Sequence, residues 1–384
     1  MFGVYRSFIS KGTQQISKIS FMNFVFWQPI LSIHQSAFLR NLAENNEVIL
    51  IIERDYSIRF QEYGWPIPEI GKVHVLCAPS EEVIQNMQES QNNIHCFSGI
   101  DTCKLHYKAF KTAIKRKCRV GIMVEPFNYL GWKGKIRFLK YIFLKMKYNK
   151  RLSFILPTGI EGRWCFEKTG FSKKNIFDWG YFTERKKIAQ KFSTNKIKIL
   201  FVGSIDERKN IIHLVDEYKT IEDGYSELLI IGSGHLNDEL IIKIRDNNNI
   251  HYLGVKNQDE VLQYIIDSDL LVLPSRWDGW GAVVNEALIQ GTPVITSNHC
   301  GASALLDGEI RGEAFSIEKN NLKEILCKWI SKGKTTPAKR EVILNWANRN
   351  ITGEVVAEYF LKIMDYIYVC NRTKPKPVAP WLIK

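Results

Sequence analysis

The chain has 384 residues, 45% hydrophobic and 24% charged, a globular composition on a length that exceeds one core, so two domains are expected. Its formal net charge of +13 suits anionic partners such as nucleotides, phospholipid surfaces or nucleic acid. Eight cysteines show no CxxC pair and no metal-ligand spacing, and no apolar run reaches about 18 residues, which argues against a disulfide framework, a zinc module and a membrane-spanning helix.

Residues 1–21 carry Arg6, Lys11 and Lys18 without an acid and lack the apolar centre of a signal peptide. They read as an extension, dispensable or upstream of the start in use. Asn23–Trp27 then reads as a strand. Pro29–Gln35 follows as a loop, with Ser32 as N-cap of a helix to about Ala43, and Glu47–Glu53 is a second strand with a continuous apolar centre. Strand, helix and strand within about thirty residues make a βαβ unit. The alternation continues with strands at 71–77, 94–98, 120–124, 153–157 and 175–179 and helices at 81–91 and 103–117. The half from 22 to 182 therefore reads as a Rossmann-like domain. His34 falls in the loop after the first strand and Glu125 directly after the strand 120–124, both at a carboxyl edge. Each is either a substrate contact or a solvated loop residue.

Between Trp132 and Arg151 there are eight basic residues and no acid. Ile136, Leu139, Phe143 and Met146 recur on one helical face. Two readings stand: a helix lying on an anionic membrane surface, or a surface helix with one packed and one solvated face. No RNA- or DNA-binding motif accompanies the charge, so nucleic acid is not expected.

The pattern restarts at Lys196–Gly203. The turn Gly203–Asn210 carries Ser204, Arg208 and Lys209 into a helix from about Ile211, an arrangement suited to a diphosphate. Leu228–Gly234 is a further strand and glycine turn. Asn257 and Glu260 make a capping box for a helix to about Ile266. Asp267-Ser-Asp269 reads as a helix end and turn rather than a metal site, and no metal is expected. Leu270–Pro274 is a buried strand. After it come a loop with Asp278, Gly279, Trp280 and Gly281, a helix to Gln290 that bears Glu286, a stop at Gly291, and the strand 293–297. Helices at about 319–332, 337–349 and 353–369 and a Pro-rich tail close the chain.

Phe201–Asn210, Leu229–Gly234, Asp269–Ser275 and Asp278-Gly-Trp-Gly…Glu286…Gly291-Thr-Pro-Val-Ile295 resemble, in order and spacing, the retaining GT-B glycosyltransferases of family 4, in the class that builds bacterial surface polysaccharides. The resemblance is strong over about 196–318 and rests on topology in the first half. It implies an α/β fold of two Rossmann-like domains facing across a cleft: an acceptor domain at 22–182, a donor domain at 183–352, and a terminal helix and tail at 353–384 returning to the first. It further implies transfer of a sugar from a nucleotide-diphosphate sugar, a UDP- or GDP-sugar, to a glycan or lipid-linked acceptor, with no cofactor or metal. Such an enzyme would work in the cytoplasm, and on the membrane reading of 132–151 it would sit peripherally at the inner face of the plasma membrane.

In that resemblance Glu286 holds the donor ribose, Asp278 contacts the transferred sugar, and Lys209, with Arg208, holds the diphosphate. Gly203 and Ser204 form the turn beside it, and the amides of Gly279, Trp280 and Gly281 approach sugar and phosphate. His34 and Glu125 would meet the acceptor. The chain departs from the family in having Asp278 for a glutamate, Ser204 for an arginine, and Pro29–Gln35 for a Gly-Gly loop. Two rival readings are an epimerase or hydrolase of nucleotide sugars on the same fold, and a non-catalytic protein that binds nucleotide or membrane.

Overall fold

The computed structural model describes residues 22–54, 67–186, 195–221 and 224–383. The expected extension at 1–21 lies outside them. The alternating apolar segments form two parallel sheets, each of six strands among the described residues. The first has the order β3-β2-β1-β4-β5-β6, built from β1 Asn23–Gln28, β2 Val48–Ile52, β3 His74–Cys77, β4 Asn93–Ser98, β5 Arg119–Val124 and β6 Leu152–Pro157. The second contains β7 Ile197–Val202, β8 Ser226–Ile231, β9 Ile250–Gly254, β10 Leu270–Leu273, β11 Val294–Ser297 and β12 Gly312–Phe315. Its order, β12-β11-β10-β7-β8-β9, repeats the first arrangement. Both are doubly wound sheets with a reversal of strand order beside the first strand, which opens a crevice at the carboxyl edge. In the first sheet the crevice lies between β1 and β4, and in the second between β7 and β10.

Period-two alternation explains how the first sheet is covered on both faces. Phe24 and Phe26 pack on one side against Phe38 of α1 (Ile33–Ala43) and Phe360 of a C-terminal helix. Val25 and Trp27 point the other way, toward Phe97 and Phe110, the latter on α2's successor α3 (Lys104–Lys115), with α2 at Glu81–Glu89. The segment 175–179, expected as a strand, is not one. A short 3-10 turn at Lys173–Asn175 breaks it, and the isolated bridges Ile155–Ile176 and Thr158–Trp179, with a hydrogen bond from Asn175 Nδ2 to Leu152 O, tie it to the neighbourhood of β6 without a continuous ladder. His34 is likewise not in a loop: Ser32 accepts a hydrogen bond from the His34 amide, and the helix has already begun there.

Further helices are α4 Gly131–Tyr148, α5 Gly159–Lys168, α6 Ile211–Lys219, α7 Asn237–Ile244, α8 Gln258–Asp267, α9 Ala282–Ile289, α10 Leu322–Ser331, α11 Pro337–Asn350 and α12 Gly353–Met364. The capping box at Asn257 and Glu260 is present at the start of α8. A π-helical turn, Asp365–Val369, takes over where α12 was expected to continue.

The chain crosses between the sheets twice, near Thr183 and near Ile351. Both crossings are tied to one fully buried side chain on α9: Asn285 Oδ1 accepts from Thr183 N at 3.0 Å and Thr183 Oγ1 at 2.8 Å, and Asn285 Nδ2 donates to Ile351 O at 3.5 Å. After the second crossing, Phe360 of α12 packs on Phe24 and Phe38, and Trp381 in the tail lies 4.9 Å from the Phe182 ring. The terminal segment thereby covers the first sheet.

Candidate active site

Two loops leave the second sheet on either side of its reversal point. One follows β7 and the other follows β10, and their backbones are laced together. Arg276 N donates to Arg208 O at 2.8 Å, Arg276 Nε to Asn210 Oδ1 at 3.0 Å, and Asn210 Nδ2 to Pro274 O at 3.3 Å. Asn210 takes a left-handed conformation (φ 57°), which turns the chain into α6. Asp206 orders the first loop: its Oδ1 accepts from Lys209 N at 2.7 Å and its Oδ2 from Ser204 Oγ at 2.6 Å.

This scaffold delivers two cations to one carboxylate. Lys209 Nζ lies 2.5 Å from Asp278 Oδ2, and Arg208 Nη1 lies 3.7 Å from the same oxygen. Lys209 and Asp278 are nearly buried, whereas Arg208 is half exposed. Arg208 Nη2 also reaches Ser204 Oγ at 3.5 Å. Gly203, hydrogen-bonded to Ile231 O through its amide, lies beside the Lys209 side chain. Helices α6 and α9 both begin at this edge, and no side chain among the described residues caps either one. Their first amides and the positive ends of their dipoles are thus available to an anion.

From the first sheet, His34 and Glu125 close on the same place. The His34 ring stacks on Tyr181 with centroids 5.8 Å apart. Burial lowers its pKa from 6.5 to about 4, with Asp278 opposing and Lys209 reinforcing the shift, so the imidazole is neutral at pH 7. Glu125 Oε1 accepts from Tyr181 Oη at 2.6 Å. A Cβ on Gly279 would stand 3.1 Å from Glu125 Oε2, so the absence of a side chain at 279 lets the two sheets' loops approach. Tyr181 therefore joins His34 to Glu125. It belongs to no motif, and only its place after a sheet-crossing segment could have suggested it.

Two expected residues are placed differently from their neighbours. Trp280 is buried, and it binds protein rather than open cleft: its Nε1 donates to Tyr181 O at 3.0 Å and its amide to Asp278 Oδ1 at 3.3 Å. Gly281 is the N-terminal boundary residue of α9 at φ 86°. Glu286 sits in the second turn of α9, and among the described residues no side chain pairs with its carboxyl group. Burial alone pushes its pKa from 4.5 up to about 7. Arg276, which the sequence reading passed over, contributes to the lacing between the loops. Among the described residues no group of three His, Cys, Asp or Glu side chains could hold a metal ion.

Two Rossmann-like domains, each a doubly wound parallel sheet, whose carboxyl-edge loops meet define a GT-B fold. Consistent with this, the structure of Anabaena HepE in complex with UDP superposes with a TM-score of 0.65 at 14% identity, over 90% of this chain and 100% of that one. Residues 182–341, the segment that builds the second sheet, match the family model "Glycosyl transferases group 1". Among curated proteins, an uncharacterized 41.2 kDa protein in the cps region of Klebsiella pneumoniae is 28% identical over 56% of this chain and 62% of its own length. The capsular polysaccharide biosynthesis glycosyltransferase CapM of Staphylococcus aureus is 26% identical over 52% of this chain and 54% of its own. The matched region thus spans between half and two thirds of these two relatives.

Proposed function

We propose that the chain is a retaining glycosyltransferase of family 4 in surface-polysaccharide synthesis, which moves a sugar from a UDP- or GDP-sugar to a glycan or lipid-linked glycan without a metal. It acts in the cytoplasm at the inner face of the plasma membrane. The observation that carries this reading is the convergence of Lys209 and Arg208 on Asp278 at the reversal point of the second sheet. Departure of a nucleoside diphosphate concentrates negative charge on its terminal phosphate. Two cations and the starts of α6 and α9 are already oriented to meet that charge, so little reorganisation is needed at the moment of reaction.

The sugar C1–O bond to the diphosphate breaks with its electron pair going to the phosphate oxygen. A bond from the acceptor oxygen to C1 forms on the same face. The acceptor's hydroxyl proton passes to the departing phosphate. Asp278 holds the transferred sugar, and Glu286, whose carboxyl group pairs with no side chain among the described residues, accepts the ribose hydroxyls. Neutral His34, with Tyr181 and Glu125, borders the acceptor side. The glycosyl transferases group 1 match and the capsular-polysaccharide relative support the reaction class, and the UDP complex of HepE supports a nucleotide donor.

The test is a thermal-shift series of the full chain with UDP-, GDP-, ADP- and dTDP-sugars in EDTA, followed by product analysis with the donor that binds. A rise in melting temperature with one nucleotide class, lost in Lys209→Ala and Glu286→Ala, is expected. Absence of binding by every donor, or turnover that stops when EDTA is added, overturns the reading.

A further inference from the structure

Helix α4 carries two apolar faces, and among the described residues only one of them is packed. Gly134, Phe138, Tyr141, Leu144 and Tyr148 turn toward the first sheet, where Tyr141 and Tyr148 meet Phe166 and Phe110. At roughly 100° per residue, the set Trp132, Ile136, Leu139, Phe143 and Met146 falls on the opposite side of the helix. Those five side chains are between 57% and 72% exposed. The surface-helix reading of the sequence expected one packed and one solvated face; the structure instead leaves a continuous apolar stripe about four turns long exposed among the described residues. A stripe of this kind marks a binding surface.

We propose that this stripe is a docking surface for an anionic lipid bilayer, on which α4 lies flat. Lys135 borders the stripe on one side and Lys133, Lys140 and Lys147 on the other, all exposed, and no acid occurs from 131 to 151. The neighbouring α3 adds exposed Lys104, Lys111 and Lys115. An apolar row flanked by cations matches acyl chains below a layer of anionic headgroups. A second copy of the chain is the poorer occupant, because pairing two such stripes sets rows of lysines against each other. Among the described residues no helix is long and apolar enough to cross a membrane, so the contact is peripheral.

The position of α4 also orients the cleft. Tyr129, two residues before the helix, has its ring 5.2 Å from that of Trp277, the neighbour of Asp278, and donates from its hydroxyl to Glu161 at 3.0 Å. A bilayer under α4 therefore runs up to the mouth of the candidate site, where a lipid-linked acceptor enters. Docking rests on α4 alone, and this consequence rests on the proposed transferase reading.

The experiment is flotation of the full chain with vesicles of phosphatidylcholine alone and of phosphatidylcholine with one third phosphatidylglycerol. Binding to the anionic vesicles is expected to exceed binding to the neutral ones by at least about tenfold and to fall as salt is raised. The double variant Leu139→Asp/Phe143→Asp, at solvated positions, should lose at least about tenfold of this binding. The control Ile241→Asp/Ile242→Asp, on the exposed side of α7, should keep it. Nucleotide-sugar binding by the α4 variant is measured in parallel. Failure to float, equal binding by the α4 variant, or a wild-type dimer in sedimentation that the α4 variant abolishes overturns the docking proposal. If nucleotide binding is absent while flotation persists, the transferase reading fails and docking stands.

Discussion

Glu286→Gln should make the free protein more stable and the donor complex weaker. The carboxyl group is neutral in the fold up to about pH 7 because burial disfavours its charge and no described side chain compensates. Moving a pKa from 4.5 to about 7 makes ionisation in the folded state costlier by about 3 kcal/mol at ~1.4 kcal/mol per pH unit. The pKa is raised in an acid, so the wild type has its full stability below pH 4.5. It loses the increment as pH rises toward 7 and is level above that. Water at the partly open crevice reduces the figure to roughly 2 kcal/mol. Glutamine has no proton to lose, so the variant and the wild type should unfold alike below about pH 4, where the wild-type carboxyl is protonated in both states. The variant should gain roughly 2 kcal/mol by pH 8, read as a shift in urea midpoint by tryptophan fluorescence. In the complex, the ionised carboxylate would accept the ribose hydroxyls, and the amide would weaken binding by about tenfold to a hundredfold. A variant less stable than wild type at pH 8, or a stability difference that does not change with pH, would refute the argument by revealing a partner for the carboxylate.

Nucleotide-sugar affinity in the wild type should rise as pH passes upward through about 7, where Glu286 ionises, and be flat in Glu286→Gln; titration calorimetry reads both. Lys209→Met leaves the nearly buried Asp278 with the more distant Arg208 alone, so the variant should lose about 2 kcal/mol in denaturant unfolding and about a hundredfold to a thousandfold in turnover. Gly180→Ala places a methyl group 2.5 Å from the Trp280 ring, and repacking should cost about 1–3 kcal/mol, with a change in Trp280 fluorescence; an unaltered midpoint and spectrum count against the close packing seen there.

The candidate site on the second sheet was legible because its residues are local in the chain. A strand, a glycine turn, Arg208 and Lys209 follow one another within a dozen residues, and Asp278 and Glu286 share one loop and helix. Parallel strand topology then brings the two loops together at the reversal point without further instruction. Residues that act across the sheets were not legible. Tyr181 connects His34 to Glu125 from a segment with no pattern of its own, and His34 was assigned to a loop because a cap at Ser32 does not by itself say how soon helical geometry begins. The segment 175–179 has strand composition, but the turn before it leaves only isolated bridges. Helical periodicity correctly grouped Ile136, Leu139, Phe143 and Met146 on one face of α4. It could not decide which of two apolar faces meets the sheet, because that depends on where Gly134 and Phe138 find room.

The tie at Asn285 has a kinematic consequence. A body joined to another by one flexible cord can swing, twist and tilt; a second cord limits it to turning about the line through the two. Thr183 and Ile351 are the two cords, and the Asn285 amide is the fastening. Opening of the cleft should therefore be a rotation about a line through that side chain, with displacement growing with distance from it. Glu286 is the adjacent residue, so it rides almost on the axle and keeps its station against the first domain whether the jaws are open or shut.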